Sequence, residues 1–314
     1  MDKLSKYIIK RILISLATLF VILFVLFLML EFMPGSPFND EKITESQRAL
    51  LYAKYGLDQP FFVRFFSYFS NMLKGDFGVS YVINKNFSVT SMVMDRLAVT
   101  IRIGLQAMLL GTAIGLILGV VAAIKHNTWV DTLCSAISIL GVSVPSYVFA
   151  LGLSYFVGFK LGWFPILYNP ALPGQSTVLP TIALSLFTVA NIARFTRSEM
   201  IEVLNSDFIQ LAQSKGIKEW KLIVKHALRN TLIPIITVMG PLLVGLLTGS
   251  MVVEKIFGIP GLGSLMVQAI QNNDFNVVIA CAFVYSALYI FTMLIVDILY
   301  GIIDPRIRVT KKGA

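Results

Sequence analysis

Long runs without charged residues alternate with short polar segments along this chain. Six of the runs are long enough to count as membrane spans, and they cover residues 12–30, 103–124, 132–159, 176–193, 230–253 and 275–296. A helix rises 1.5 Å per residue, so about 20 apolar residues cross a hydrocarbon core about 30 Å thick. Each run therefore predicts one membrane-spanning helix. The charge-free stretch that leads into the fourth run contains four prolines, which predict a loop there: Pro165, Pro170, Pro173 and Pro180.

The polar segments predict the organisation around these spans. Residues 1–32 form an uncleaved anchor, because the first run is longer than a signal-peptide core and no small-residue cleavage site follows it. Residues 33–94 form a segment between the first two spans. Its amphipathic stretch Phe61–Leu73 predicts a helix that ends near Gly75 and that either caps the membrane surface or binds a partner.

Composition narrows the class of protein. The chain is 56% hydrophobic, with a mean hydropathy of +0.79, which indicates that lipid surrounds most of it. Its two cysteines, Cys134 and Cys281, both lie inside apolar runs, which favours core residues over a disulfide or a metal site. The net charge of +9 fits a membrane surface better than nucleic acid, because of how the charges are distributed.

Lysine and arginine cluster in alternate loops. Sixteen of them fall in the two termini and in every second loop, and seven of these lie within residues 194–229. The short loops on the other side of the membrane carry only Lys160 and Lys255. The 33–94 segment is long enough to be translocated across the membrane regardless of its charge. The positive-inside rule therefore predicts that both termini and residues 194–229 face the cytoplasm, and that residues 33–94 are extracytoplasmic.

The spans contain few groups that could drive transport. Arg102 and Asp297 both lie near span ends, so neither indicates a buried proton relay. There is no G-x-x-x-x-G-K-[ST] motif for binding ATP in the sequence either. We therefore expect the energy source to lie in another chain. Gly111, Gly115 and Gly119 share one helix face and predict close helix packing, with a substrate role as the less favoured alternative.

The stretch "DFIQLAQSKGIKEW", residues 207–220, is a polar exception between apolar runs. Helical spacing predicts two apolar stripes separated by Gly216, which supplies a left-handed turn. The first stripe consists of Ile201, Leu204, Phe208 and Leu211, and the second of Trp220, Ile223, Val224, Ala227 and Leu228. Periodicity alone leaves two alternatives open: a helix that docks in a groove of another protein, or a helix pair that lies on the inner leaflet.

Residues 194–237 closely resemble the coupling loop of ABC importer permeases that depend on a binding protein. The "AQSKG" of Ala212–Gly216 is similar to the relaxed A-x-A-K-G form of the peptide-transporter branch, although the leading glutamate of the general motif is absent. Other stretches resemble the same branch in order along the chain, at residues 7–38, 95–124, 141–166, 248–275 and 297–309. On this ordered series the chain is identified as a member of the B-type permeases of oligopeptide and dipeptide importers.

The resemblance implies an all-α polytopic membrane protein of the type I ABC importer permease fold, with six transmembrane helices. Residues 95–304 would form the permease core, with the coupling loop at 194–229 and a cytoplasmic tail at 305–314. It implies a second homologous permease, two ATPase subunits that hold ATP and magnesium, an extracytoplasmic binding protein and a peptide substrate. It assigns no cofactor, metal or catalytic residue to this chain. It assigns coupling to Asp207, Phe208, Leu211, Ala212, Lys215 and Gly216.

Polar and aromatic groups on the spans are candidates for lining the peptide pathway, and helix packing is an equal alternative for each. They are Ser143, Ser146, Tyr147, Thr188, Asn191 and Tyr285. Three other functions stay open: a permease of the same family for dipeptides, nickel or glutathione, a secondary carrier that works alone, and a membrane-embedded enzyme. The enzyme is the least favoured, since the sequence offers no nucleophile with a histidine partner and no acidic pair within a span.

Overall fold

The computed structural model describes residues 3–32, 38, 44–249 and 251–303. In these residues the backbone is helical, and its one β-bridge joins Val79 to Ser88. The helices, in chain order, are α1 Lys3–Glu31, α2 Glu45–Lys54, α3 Phe61–Leu73, α4 Val89–Ile124, α5 Trp129–Ser143, α6 Ser146–Leu153, α7 Pro173–Ser176, α8 Val178–Leu204, α9 Asp207–Ser214, α10 Glu219–Lys221, α11 Leu228–Gly249, α12 Met251–Ile256, α13 Leu262–Gln271 and α14 Phe275–Ile303. Two π-helical segments, Ser154–Lys160 and Leu222–Ala227, extend α6 and α10.

Five of the six predicted spans coincide with helical stretches long and apolar enough to cross a membrane. The third, predicted over residues 132–159, is not one straight helix. It consists of Trp129–Ser143 and Ser146–Lys160, which are bent by 100° relative to each other. Pro145 explains the break, because its ring excludes the helical conformation at the preceding residue. Val144 accordingly takes extended angles, with φ −86° and ψ 120°.

The chain forms two compact units, one of residues 1–100 and 260–291 and the other of residues 101–259 and 292–314. In the first unit, α3 begins and ends where the sequence predicts. One face of α3 packs on α1 through edge-to-face aromatic contacts, such as Phe65 against Phe24 at 5.2 Å and Phe69 against Phe20 at 5.3 Å between ring centroids. Edge-to-face pairs stabilise beyond the area they bury.

Asp274, the residue before α14, ties a distant loop of the first unit to the start of that helix. Its buried carboxylate accepts a hydrogen bond from the Ser80 hydroxyl at 2.5 Å. It also accepts backbone N–H bonds at 3.1 Å from Tyr81, Val82 and Ile83. Four donors on one carboxylate fix the loop at residues 80–83, because each donor would be left unsatisfied without it.

In the second unit α8 packs against α4, α5 and α6, and the glycine stripe of α4 explains how closely α4 approaches it. A Cβ placed on Gly111 would lie 2.6 Å from Cβ of Thr188, and one placed on Gly119 would lie 2.5 Å from Cβ of Thr196. Those separations are shorter than any carbon contact, so only glycine allows this approach. The prediction that the stripe serves helix packing is confirmed.

Some sequence predictions fall outside the described residues. They are the P-G-x-P turn at residues 34–37 and the tail at 305–314.

Candidate functional site

The end of α9 forms the glycine turn that the sequence predicts. Gly216 has φ +73°, in the left-handed region. The N–H of Gly216 donates to the carbonyl of Gln213 at 2.9 Å, and the N–H of Ile217 donates to the carbonyl of Ala212 at 3.3 Å. This pair of bonds is the Schellman motif, in which a left-handed residue ends a helix and satisfies its last carbonyls. A Cβ on Gly216 would meet nothing within 4 Å, so the backbone angle alone selects glycine here.

One side of α9 is seated on the rest of the second unit. Ile209 and Ala212 are buried in an apolar cluster with Ala123, Met200 and Leu222. These three residues lie at the end of α4, near the end of α8 and at the start of the π-helical segment. Because the cluster is packed, a displacement of α9 moves the ends of those elements with it.

The flank of α9 next to this buried side is apolar and uncovered. Phe208 is 44% exposed and Leu211 is 58% exposed. Lys215 follows Leu211 by four residues and is exposed beside it. Asp207 is exposed in the first turn of α9, where a negative charge is favourable at the positive end of the helix dipole.

The six predicted coupling residues all lie on α9 or in the turn that follows it, but they differ in how exposed they are. Asp207, Phe208, Leu211, Lys215 and Gly216 are exposed, whereas Ala212 is buried in the seat of α9. Its small side chain packs in the cluster with Ala123, Met200 and Leu222.

The predicted apolar stripe across residues 201–211 is wrong as one continuous face. The chain leaves α8 at Leu204 and begins α9 at Asp207, so the two halves belong to different helices. Periodicity missed this break because it occurs without glycine or proline. Ser206 at the N-cap is the local signal, since serine is a preferred N-cap residue.

The second predicted stripe is also shifted. Trp220 and Val224 are exposed, whereas Leu222 and Ala227 are buried. The π-helical segment Leu222–Ala227 explains the shift, because its hydrogen bonds span five residues and so bring residues five apart onto one face. A helical periodicity of 3.6 residues does not detect this register.

Sequence reasoning missed an ion pair near the start of α5. Asp131 is buried, with 4% of its surface exposed. Its carboxylate accepts two hydrogen bonds from Arg197 on α8, one from Nε at 2.6 Å and one from Nη2 at 2.8 Å. The backbone N–H of Asn127 also donates to it at 3.0 Å, and Nδ1 of His126 lies 3.2 Å away. The two-pronged arginine contact fixes the loop between α4 and α5 against α8.

The candidate pathway residues have varied surroundings. Ser143 and Tyr147 are exposed on the two sides of the Pro145 break, and Ser146 and Asn191 are partly exposed. The Nδ2 group of Asn191 donates to the carbonyl of Phe187 one turn earlier, at 2.8 Å. Thr188 is fully buried against Gly111 in the second unit, and Tyr285 is buried in the apolar core of the first.

Comparison with known proteins assigns the fold and the family. Residues 115–309 match the family described as "Binding-protein-dependent transport system inner membrane component". The dipeptide transport system permease protein of Lactococcus lactis is 44% identical over 303 residues, which cover 96% of this chain and 99% of that protein. The corresponding protein of Bacillus subtilis is 40% identical, over 99% of this chain and all of that one. The oligopeptide transport system permease protein of Escherichia coli is 39% identical, over 96% of this chain and 99% of that one.

Two solved structures share the fold. One is an amino acid ABC transporter, with a TM-score of 0.55 and 17% identity over 68% of this chain and 94% of that one. The other is the MetNI methionine ABC transporter in an inward-facing form, with a TM-score of 0.52 and 17% identity over 70% of this chain and 97% of that one. These structures support an all-α, multi-pass membrane fold, and the family match with the full-length relatives makes the chain a transport subunit, not an enzyme. It belongs to the family of inner membrane components of binding-protein-dependent transport systems.

Proposed function

We propose that this chain is one permease subunit of an ATP-driven importer for short peptides, with oligopeptides as the first candidate and dipeptides as the second. Relatives named as permeases for both classes align over nearly the whole chain. The observation that carries the coupling role is helix α9, which is packed on one side and has an exposed apolar flank beside it, formed by Phe208 and Leu211.

The partners follow from this role. A second homologous permease supplies the other half of the pathway, and an extracytoplasmic binding protein delivers the peptide. Two ATPase subunits bind ATP and magnesium, in keeping with the absence of a phosphate-binding loop motif from this sequence. The distribution of lysine and arginine supports an orientation with both termini and residues 194–229 in the cytoplasm, where the ATPases lie.

The coupling step is a rigid-body movement. Phe208 and Leu211 insert into an apolar groove of one ATPase, in the manner of an amphipathic helix docked in a groove. Closure of the ATPases around ATP displaces α9. The buried cluster around Ile209 passes this displacement to the ends of α4 and α8, so the spans rock between inward-facing and outward-facing states.

The exposed groups around the Pro145 break are the favoured pathway residues. Ser143 and Tyr147 flank the break, and a broken helix offers backbone carbonyl and N–H groups that a continuous helix would bond internally. Ser146 and Asn191 are secondary candidates, since both are only partly exposed.

Substitution of Gly216 tests the coupling turn. A β-branched residue is strongly disfavoured at φ +73°, whereas asparagine tolerates left-handed angles. We expect Gly216→Val to leave the assembled importer in the membrane but to reduce ATP-driven peptide uptake about tenfold or more, and Gly216→Asn to keep most of it. The measurement is uptake of a radiolabelled tetrapeptide into proteoliposomes, with ATPase activity recorded in parallel.

The same assay separates the proposal from a carrier that works alone. Uptake by this chain without ATPase subunits, or normal uptake by a normally assembled Gly216→Val importer, would contradict the coupling role. Retention of ATP hydrolysis together with loss of uptake in Gly216→Val is the signature of uncoupling.

A further inference from the structure

The helix that follows the Gly216 turn is buried on one side and basic on another. It runs from α10 through the π-helical segment Leu222–Ala227 into α11. Leu222 and Ala227 are buried and belong to the apolar cluster that seats α9. Three exposed cations, each four residues from the next, share a different face: Lys221, Lys225 and Arg229. We call these three residues the basic stripe.

The cations of the basic stripe are accessible and have no acidic partner. None of them forms an ion pair with a carboxylate among the described residues. The ammonium of Lys221 lies over the ring of Trp220, 5.6 Å from its centroid, and this contact leaves its N–H donors unused. Residues 194–229 contain seven cations and only four acidic residues, which are Glu199, Glu202, Asp207 and Glu219. The basic stripe therefore presents uncompensated positive charge.

The depth of the basic stripe follows from what packs behind it. Leu222 and Ala227 belong to the same packed cluster as Ala123. Ala123 lies at the end of the apolar run 103–124, just before Lys125. Because such a run ends where the hydrocarbon core ends, the π-helical segment lies at the boundary between acyl chains and headgroups. Tryptophan is enriched at this boundary, and Trp220 is exposed beside the stripe.

The basic stripe continues into an apolar surface of α11. Ile233 and Ile236 follow Arg229 by four and seven residues and so lie on the same helix face. Both are exposed, at 43% and 38% respectively. A soluble anion needs only the positive charges. A phospholipid also needs an apolar surface directly beyond its headgroup site, and this face of the helix supplies the two in that order.

We propose that the basic stripe binds the headgroups of anionic phospholipids, with their acyl chains along Ile233 and Ile236. The assignment to the inner leaflet rests on the orientation proposed above, whereas the lipid class rests on the charges and the apolar surface. The two halves of the polar stretch thus have different partners, since α9 docks on a protein and the helix after Gly216 binds lipid. Bound lipid holds the seat of α9 at the membrane surface.

Photo-cross-linking from the apolar end of this surface tests the proposal. Ile233 is replaced by the photoreactive p-benzoylphenylalanine, and the assembled importer is placed in nanodiscs of equal parts dioleoylphosphatidylglycerol and dioleoylphosphatidylcholine. Mass spectrometry of the adducts identifies which molecule touches this position. We expect adducts of the anionic phosphatidylglycerol to exceed those of phosphatidylcholine at least about fivefold, because each cation near an anionic lipid strengthens binding by about that factor.

Substitutions of lysine separate a specific surface from general attraction. Lys225→Gln removes the central cation of the basic stripe. Lys218→Gln is the matched control, because Lys218 is an exposed lysine of the same loop that lies at the N-cap of α10, off the stripe. We expect Lys225→Gln to lower the ratio of phosphatidylglycerol to phosphatidylcholine adducts about fivefold, and Lys218→Gln to leave it unchanged.

Thermal unfolding distinguishes lipid binding from a structural role. Both lysines are exposed, so we expect Lys225→Gln and Lys218→Gln to have the Tm of the parent in a neutral detergent without lipid. Added phosphatidylglycerol raises the Tm of a protein that binds it in the folded state. We expect this increase to be smaller for Lys225→Gln than for Lys218→Gln and the parent.

Equal yields of the two lipid adducts in the parent, or the same effect of both lysine substitutions, would overturn the proposal. Adducts with the second permease or an ATPase subunit in place of lipid would overturn it as well, and would make this face a protein interface. ATP-driven peptide uptake by the parent is measured separately. Uptake without a preference for phosphatidylglycerol rejects only the lipid surface, whereas an importer that carries no peptide rejects the proposed function.

Discussion

Gly216 and Gly119 both require glycine, but for different physical reasons: the backbone angle at Gly216 and the distance to a neighbouring helix at Gly119. At Gly216 the space around a Cβ is empty, and the positive φ is the constraint. At Gly119 the backbone is ordinary α-helix, and the constraint is distance, because a Cβ would lie 2.7 Å from the carbonyl oxygen of Ala193. The first glycine sets the direction of the chain after α9, and the second sets the separation of α4 from α8.

The distance constraint at Gly119 predicts that alanine is harmful there. Gly119→Ala forces α4 away from α8, and overpacking of this kind costs about 1–3 kcal/mol. Gly245→Ala in α11 is the matched control, since its Cβ would meet nothing within 4 Å and alanine favours a helix. We expect a lower Tm for Gly119→Ala in detergent, measured by tryptophan fluorescence, and an unchanged or higher Tm for Gly245→Ala. Equal Tm values for the two variants would contradict the close approach of α4 and α8.

How far the sequence predicts a residue's role depends on how local the cause is. The turn at Gly216 was predictable, because a glycine after a short amphipathic stretch is itself the signal. The pair formed by Asp131 and Arg197 was not, because the two residues are 66 positions apart and only the packing of α5 on α8 joins them.

At the scale of elements, the π-helical segment Leu222–Ala227 decides which side of the chain after α9 is buried. Apolar residues five apart share its inner face, so Leu222 and Ala227 complete the seat of α9. Sequence periodicity assumes 3.6 residues per turn and therefore assigned Trp220 and Val224 to the apolar face. The kink of 100° at Pro145 had a visible cause in the sequence, because proline excludes the helical conformation at the residue before it.

This register predicts opposite outcomes for two neighbouring truncations. Leu222 is 2% exposed and Val224 is 56% exposed. Leu222→Ala therefore leaves a cavity under α9 and costs about 2–5 kcal/mol, whereas Val224→Ala removes little buried surface. Thermal unfolding of the purified importer measures the difference. Limited proteolysis after α9 provides a second readout, with faster cleavage expected only for Leu222→Ala. A larger effect of Val224→Ala would show that the regular α-helical register is the correct one.

At the scale of the whole molecule, the number of spans follows from the thickness of the bilayer and was readable in the sequence. Five of the six predicted spans coincide with long apolar helical stretches, because a long apolar run has few other stable states in lipid. The chain-wide pattern gave no information on which faces of the helices touch. Those contacts depend on the small residues of α4 and on the aromatic rings between α1 and α3, and only the folded structure pairs them.

At the same scale, the proposed coupling role makes assembly of the importer depend on the exposed apolar flank of α9, formed by Phe208 and Leu211. We expect the double substitution Phe208→Ser with Leu211→Ser to abolish co-purification of the ATPase subunits and ATP-driven uptake, because both side chains supply the apolar contact in the groove.

Trp220→Ser is the control, since Trp220 is 61% exposed in the same polar segment but lies outside α9. Binding of this segment to inner-leaflet lipid predicts instead that the α9 variant keeps its ATPase subunits as well as Trp220→Ser does. Affinity purification from detergent, followed by quantification of the ATPase subunits for each variant, decides between docking and lipid contact, because only docking makes ATPase retention depend on two residues of α9.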